Sequence, residues 1–168
     1  MKRLALTLFL FFLIGCQTYV DKPITDQETS LDIELKTDKW VYTKGEPITL
    51  FITNNLERNI TLHSHPAQLM GASLLQFSSG KWYPTSIFGD WCPCGAECYP
   101  NFKDITIVPG QTISDKWNQA LRIAHCKLND EIAWETKFKE PGKYMFILQF
   151  TLDTTRVTMY SNEFEIKN

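Results

Sequence analysis

From Leu31 onward the chain alternates apolar and polar residues with a period of two. Leu31, Ile33 and Leu35 are separated by Asp32 and Glu34, the pattern of a strand with one buried face. Trp40, Val41 and Tyr42 continue in extended form, and Lys44-Gly45-Glu46-Pro47 marks a turn. Further strands are predicted at 48–52, closed by Asn54 and Asn55, at 59–63 and at 73–77. Ser79-Gly80 turns the last of these into 81–83 as a hairpin. Residues 103–108 run to a turn at Pro109-Gly110, and 112–117, 132–134, 144–152 and 157–166 complete the set. No segment has a long helical period with caps; only 118–124 has room for a turn or two of helix. About eight to ten short strands with turns every 8 to 12 residues predict an all-β fold, an antiparallel sandwich or barrel.

The N-terminus follows a different pattern. Lys2 and Arg3 precede an apolar run over 4–14. That run is shorter than the roughly 20 residues a membrane-spanning helix needs and has the length of a secretory signal segment. It ends in Leu13-Ile14-Gly15-Cys16, which resembles the lipobox of bacterial lipoproteins. The resemblance implies a diacylglyceryl thioether on Cys16, cleavage before Cys16, and acylation of the new amino group by a fatty chain such as palmitate. Two or more acyl chains suffice for stable anchoring. Gln17 stands where the family's inner-membrane retention signal has Asp, so a host with two membranes would carry the protein on the periplasmic side of its outer membrane. The chain then divides into a signal peptide (1–15), a lipidated Cys16 with a polar tether (16–30) and a sandwich domain (31–168). As a flexible coil the tether spans on the order of 20 Å.

Composition narrows the partners. The 168 residues carry 17 Lys+Arg against 19 Asp+Glu, a formal net charge of −2, and loss of Lys2 and Arg3 makes the mature chain more acidic. Nucleic acid and electrostatic adhesion to anionic lipid both need basic surface, so neither is expected. A content of 43% hydrophobic and 13% aromatic residues supplies a core and excludes disorder of the main body.

Two stretches resemble a bacterial immunoglobulin-like domain. The first runs from Tyr42 through the Gly45-Glu46 turn and an alternating strand to Asn54-Asn55. It is also similar to the intracellular proteinase inhibitor (BsuPI-like) domain. The second, Glu140-Pro141-Gly142-Lys143-Tyr144-Met145-Phe146, is similar to a tyrosine corner, in which a Tyr hydroxyl at a strand start bonds back to upstream backbone. Phe146 stands where antibody domains place a Cys. Pro109-Gly110 and Trp117 fit the same pattern. The resemblance implies an immunoglobulin-like sandwich over 31–167 and leaves function open, because sandwiches host many.

Cys92, Cys94 and Cys98 fall in the stretch Trp91 to Pro100, an irregular loop rich in Pro and Gly. With Cys126 they make an even set in an exported chain, read most simply as two disulfides stapling a long loop. Cys94–Cys98 with Cys92–Cys126, and Cys92–Cys98 with Cys94–Cys126, are both open. The alternative is a soft-metal site for copper or zinc, using these thiolates with His63, His65 and His125, although Cys-x-Cys is tighter than usual zinc spacing. His63 and His65 otherwise end a strand as surface residues.

No nucleophile elbow, zinc-protease helix or phosphate loop is present, and the acids near the loop, Asp90, Glu97 and Asp104, form no evident acid–base pair. The chain reads as a non-enzymatic binding module of the cell envelope without a cofactor, held to the membrane through Cys16. It binds a protein or envelope component through the stapled loop, with Trp82, Tyr83, Trp91 and Tyr99 as candidate anchors; for Trp82, core packing is the preferred reading. Proteinase inhibition is the alternative that follows the family resemblance. No oligomeric state is read from the pattern.

Overall fold

The computed structural model describes residues 32–65, 68–89, 102–126 and 132–168. Among the described residues there are thirteen strands and no helix. The largest sheet has six strands. It runs β2 (Val41–Thr43), β13 (Phe164–Lys167), β11 (Gly142–Leu152), β5 (Ala72–Ser78), β6 (Lys81–Thr85), with β12 (Thr155–Tyr160) also pairing β11. A three-stranded sheet orders β1 (Ile33–Thr37), β3 (Ile48–Asn54) and β8 (Thr112–Trp117). Two further pairs join β4 (Ile60–Ser64) to β7 (Lys103–Ile107) and β9 (Ala120–Cys126) to β10 (Ile132–Phe138). All these pairings are antiparallel except β13 with β2.

The period-two pattern explains how the sheets meet. On β3, Ile48, Leu50 and Ile52 are buried, and on β11, Tyr144, Phe146, Leu148 and Phe150 face the same core. Ile33, Leu35, Ile60, Leu62, Ile107, Trp117, Phe164 and Ile166 join them in one cluster. That cluster draws on the three-stranded sheet, the β4–β7 pair and one face of the six-stranded sheet, which gives a β-sandwich-like, all-β fold. Aromatic rings fill its centre: Phe146 and Phe164 stack at 5.5 Å, and Trp117 meets Phe146 edge-on at 6.1 Å. Met145 and Ile147 point to the opposite face of β11, where they bury against Leu75 and Trp82 as a separate cluster.

Polar side chains fix the corners. The Tyr144 hydroxyl donates to the Glu140 carbonyl at 2.6 Å, the bond its motif leads one to expect. The buried Asn54 amide donates to the Arg58 and Ile107 carbonyls at 2.8 and 2.9 Å, tying the end of β3 to β7. Without these partners each buried polar group would cost about 1–3 kcal/mol.

Two expectations are corrected. Residues 118–124 form no helix; most of them lie in β9, because seven pairs with β10 satisfy their backbone and override the helical propensity of Ala, Leu and Arg. The stretch 157–166 is two strands, because Ser161 interrupts it. Its amide donates to the Phe146 carbonyl and its hydroxyl accepts from the Phe146 amide, both at 2.9 Å, so β12 and β13 occupy one edge of β11 in turn. No helix among the described residues is long and apolar enough to cross a membrane. The signal segment, Cys16 with its tether, and Trp91, Cys92, Cys94, Cys98 and Tyr99 lie outside the described residues.

Candidate functional site

The β9–β10 hairpin supplies no residue to either buried cluster, yet it is held at several points. Its register pairs Cys126 with Ile132, Ala124 with Trp134, Arg122 with Thr136 and Ala120 with Phe138. Alternation puts these eight side chains on one face. Three large apolar groups there stay open to solvent: Ile132 is 38%, Trp134 43% and Phe138 44% exposed. The Arg122 guanidinium sits 4.3 Å from the Trp134 ring centre, a cation–π contact that orients both. Among the described residues β10 pairs with β9 alone, and no described strand takes its other edge.

The opposite face mixes half-buried apolar groups, Leu121, Ile123 and Ala133, with His125, Glu135 and Lys137. His125 Nε2 and Lys137 Nζ lie 2.9 and 3.3 Å from one Glu135 oxygen. The His125 hydrogen bond, and then that of Lys137, hold the Glu135 carboxyl below its usual range.

At the root, Gln119 adopts φ 63° with no exposed surface. Its Oε1 accepts from the Gly45 amide at 2.9 Å, and its Nε2 donates to the Thr43 and Glu46 carbonyls at 3.0 and 2.7 Å. That single amide ties the hairpin to the β2–β3 turn. On the other side of the root, buried Lys139 donates its amide to the Gln119 carbonyl at 2.9 Å. Its Nζ donates to the Ser86 carbonyl at 3.0 Å and to the Thr85 hydroxyl. Burial pushes the Lys139 ammonium down to about 8.

Midway along β9, the Arg122 amide donates to the Phe88 carbonyl at 2.9 Å, and Gly89 bridges Arg122 in parallel. Gly89 has φ 85°, and a Cβ there would stand 2.2 Å from the Arg122 carbonyl oxygen, so only glycine fits. At the tip, Cys126 is disulfide-bonded.

The other candidates separate in space. His63 Nδ1 pairs with Asp104 Oδ1 at 2.6 Å, both exposed, while His65 meets the Phe102 ring edge-on at 5.3 Å. His125 is engaged on the hairpin. Among the described residues no group of three or more His, Cys, Asp or Glu side chains is placed to hold a metal ion. Trp82 is buried beside Phe77, with ring centres 5.2 Å apart, and Tyr83 is half-buried; neither is an open anchor. Trp134 and Phe138 are exposed together on one face of the hairpin, while Trp40 and Phe102, also exposed, lie elsewhere; none of these four was a candidate anchor from the sequence. The signal lay in Ile132, Trp134 and Phe138, apolar at even spacing within a charged strand.

No protein-family model and no curated protein sequence matches the chain. Among solved structures it is similar to a β-glucosidase from Listeria innocua in complex with gluconolactone. The identity is 14%, the match covers 81% of this chain and 16% of that one, and the TM-score is 0.35. A likeness at that level carries no argument about activity. The class stands on the chain's own architecture: an all-β protein of mainly antiparallel sheets with an apolar-faced hairpin pinned to its side.

Proposed function

We propose that this chain is a non-enzymatic envelope lipoprotein that binds a partner through the apolar face of the β9–β10 hairpin. The observation that carries the reading is the exposure of Ile132, Trp134 and Phe138 on a hairpin fixed at its root and middle. Rigid aromatic groups lose little freedom on contact, so pre-organisation of this kind favours binding. The outer edge of β10, which pairs with no described strand, adds backbone donors and acceptors for an extended segment of a partner.

In this reading the domain is an immunoglobulin-like sandwich, and lipid on Cys16 holds it to the envelope membrane. Cys126 bonds one of Cys92, Cys94 and Cys98, stapling the loop they lie on beside the hairpin. Such a bond closes a loop of roughly 30 residues and contributes about 3–4 kcal/mol on the chain-entropy model.

Two measurements on the full chain from its native envelope test this. Mass spectrometry of the mature N-terminus is expected to find an acylated Cys16; an unmodified start removes the anchor. Pull-down with wild type and with the double variant Trp134→Ala, Phe138→Ala is expected to lose a stoichiometric partner in the variant at unchanged thermal midpoint. An identical set of bound proteins in both removes the hairpin as the contact surface.

A further inference from the structure

The outer face of the six-stranded sheet, away from the hairpin, carries a groove of about 630 Å³. Leu75, Pro84, Ile147 and Phe150 give it an apolar floor, and Leu75 and Pro84 are direct cross-strand neighbours. Its polar lining comes from Gln68, Ser73, Gln149 and Arg156. Most of these side chains stand on paired strands, so their spacing is set by the sheet.

The polar groups are partly engaged in ways that leave donors facing outward. Gln68 accepts from the His65 amide at 3.0 Å and donates to the Ser73 hydroxyl at 3.1 Å, which frees the Ser73 proton to donate elsewhere. The Arg156 guanidinium donates to Gln149 Oε1 at 2.9 Å. No carboxylate among the described residues pairs with it, in contrast to Arg58, which pairs with Asp153 at 2.6 Å. The Asp104 carboxylate, on the strand beside the groove residue His63, is held by that histidine at 2.6 Å.

We propose that this groove binds an acidic oligosaccharide unit: a hydroxylated, carboxylate-bearing ligand about the size of a disaccharide. The volume lies within the range of small-molecule sites and exceeds what a free phosphate or acetate fills. Amide and hydroxyl groups at strand spacing match sugar hydroxyls, each of which both donates and accepts. The Arg156 guanidinium, engaged by Gln149 but by no carboxylate among the described residues, matches a carboxylate. One arginine is too little charge for a nucleic acid strand.

The test titrates the full chain with cellobiouronic acid and digalacturonate, with cellobiose and inorganic phosphate as comparators, followed by amide chemical shifts. The uronates are expected to shift Ser73, Gln149 and Arg156 saturably, with cellobiose and phosphate at least tenfold weaker. Arg156→Gln is expected to weaken the uronates at least tenfold and Gln149→Ala severalfold, while the distant Lys36→Gln leaves them unchanged. Absence of saturable shifts in the groove overturns the proposal. So does uronate binding that survives Arg156→Gln, or inorganic phosphate saturating the groove as tightly as the uronates. None of these results bears on the hairpin, which lies on another sheet.

Discussion

Lys139 is a cation with almost no exposed surface and, among the described residues, no carboxylate against it. Burial lowers its pKa to about 8 from 10.5, so in the folded protein it releases its proton first. Between roughly pH 8 and 10.5 the unfolded chain holds more protons than the folded one, and stability rises with pH through that window. Urea unfolding at about pH 7.5 and pH 9.5 is expected to show a gain for wild type that Lys139→Met lacks. An equal gain in both would assign the effect to other groups. The buried tyrosines oppose this at the top of the window: burial raises Tyr144 to about 12 and Tyr42 and Tyr160 in the same direction, so they take stability away as pH rises above their ordinary value of 10.0, and the comparison with Lys139→Met separates the lysine from them. At Tyr144 the hydroxyl bond to Glu140 is worth about 1–1.5 kcal/mol. Tyr144→Phe is expected to lose that amount in urea melts without change in the shape of the transition. The residue was legible as a corner because its Pro141-Gly142 context and strand-start position are local. Lys139 was not legible, because its burial depends on Thr85 and Ser86, which lie more than 50 positions away in sequence.

At the scale of elements, alternation carried most of the fold. Strands with one face in the core announce themselves, as β1 and β3 do with strictly alternating burial. β9 does not, because neither face is fully buried and its pattern of half-buried and exposed residues has no period of two. Its partner and its anchors decide its conformation. Gln119 is one such anchor, and Gln119→Ala removes three hydrogen bonds at a buried site. The expected cost is about 2–4 kcal/mol, read by chemical denaturation; a change under about 0.5 kcal/mol would show that the root is held by other contacts. Gly89 is the other. Gly89→Ala forces a Cβ into the Arg122 backbone, so amide exchange at Arg122 is expected to accelerate roughly tenfold or more while β3 exchanges as before. Equal protection at Arg122 in both proteins would mean that the bridge does not restrain the hairpin.

For the whole molecule, the sheets assemble around one aromatic core and leave two surfaces with distinct chemistry: an apolar hairpin face and a polar groove on the far side of the six-stranded sheet. The all-β class was readable from period and turns. The groove was not, because it is made by register between β5 and β11, distant in sequence, and the hairpin face was missed because its exposure depends on how the rest of the fold leaves β10 uncovered. Ser73 meets Ile147, and Phe138 lies against Gly45, with its ring carbon 3.4 Å from where a Cβ on that glycine would stand. Of the candidate anchors named from sequence, Trp82 is buried and Tyr83 half-buried on β6, whereas Trp134 and Phe138 stand open on β10. The central claim is that β10 faces a partner. Its most direct test places a photo-crosslinking residue at position 134 of the full chain in living cells, with position 36 as the exposed comparison. A discrete adduct from 134, absent from 36 and abolished by Phe138→Ala, is the predicted result. No adduct, or the same adducts from both positions, would contradict it.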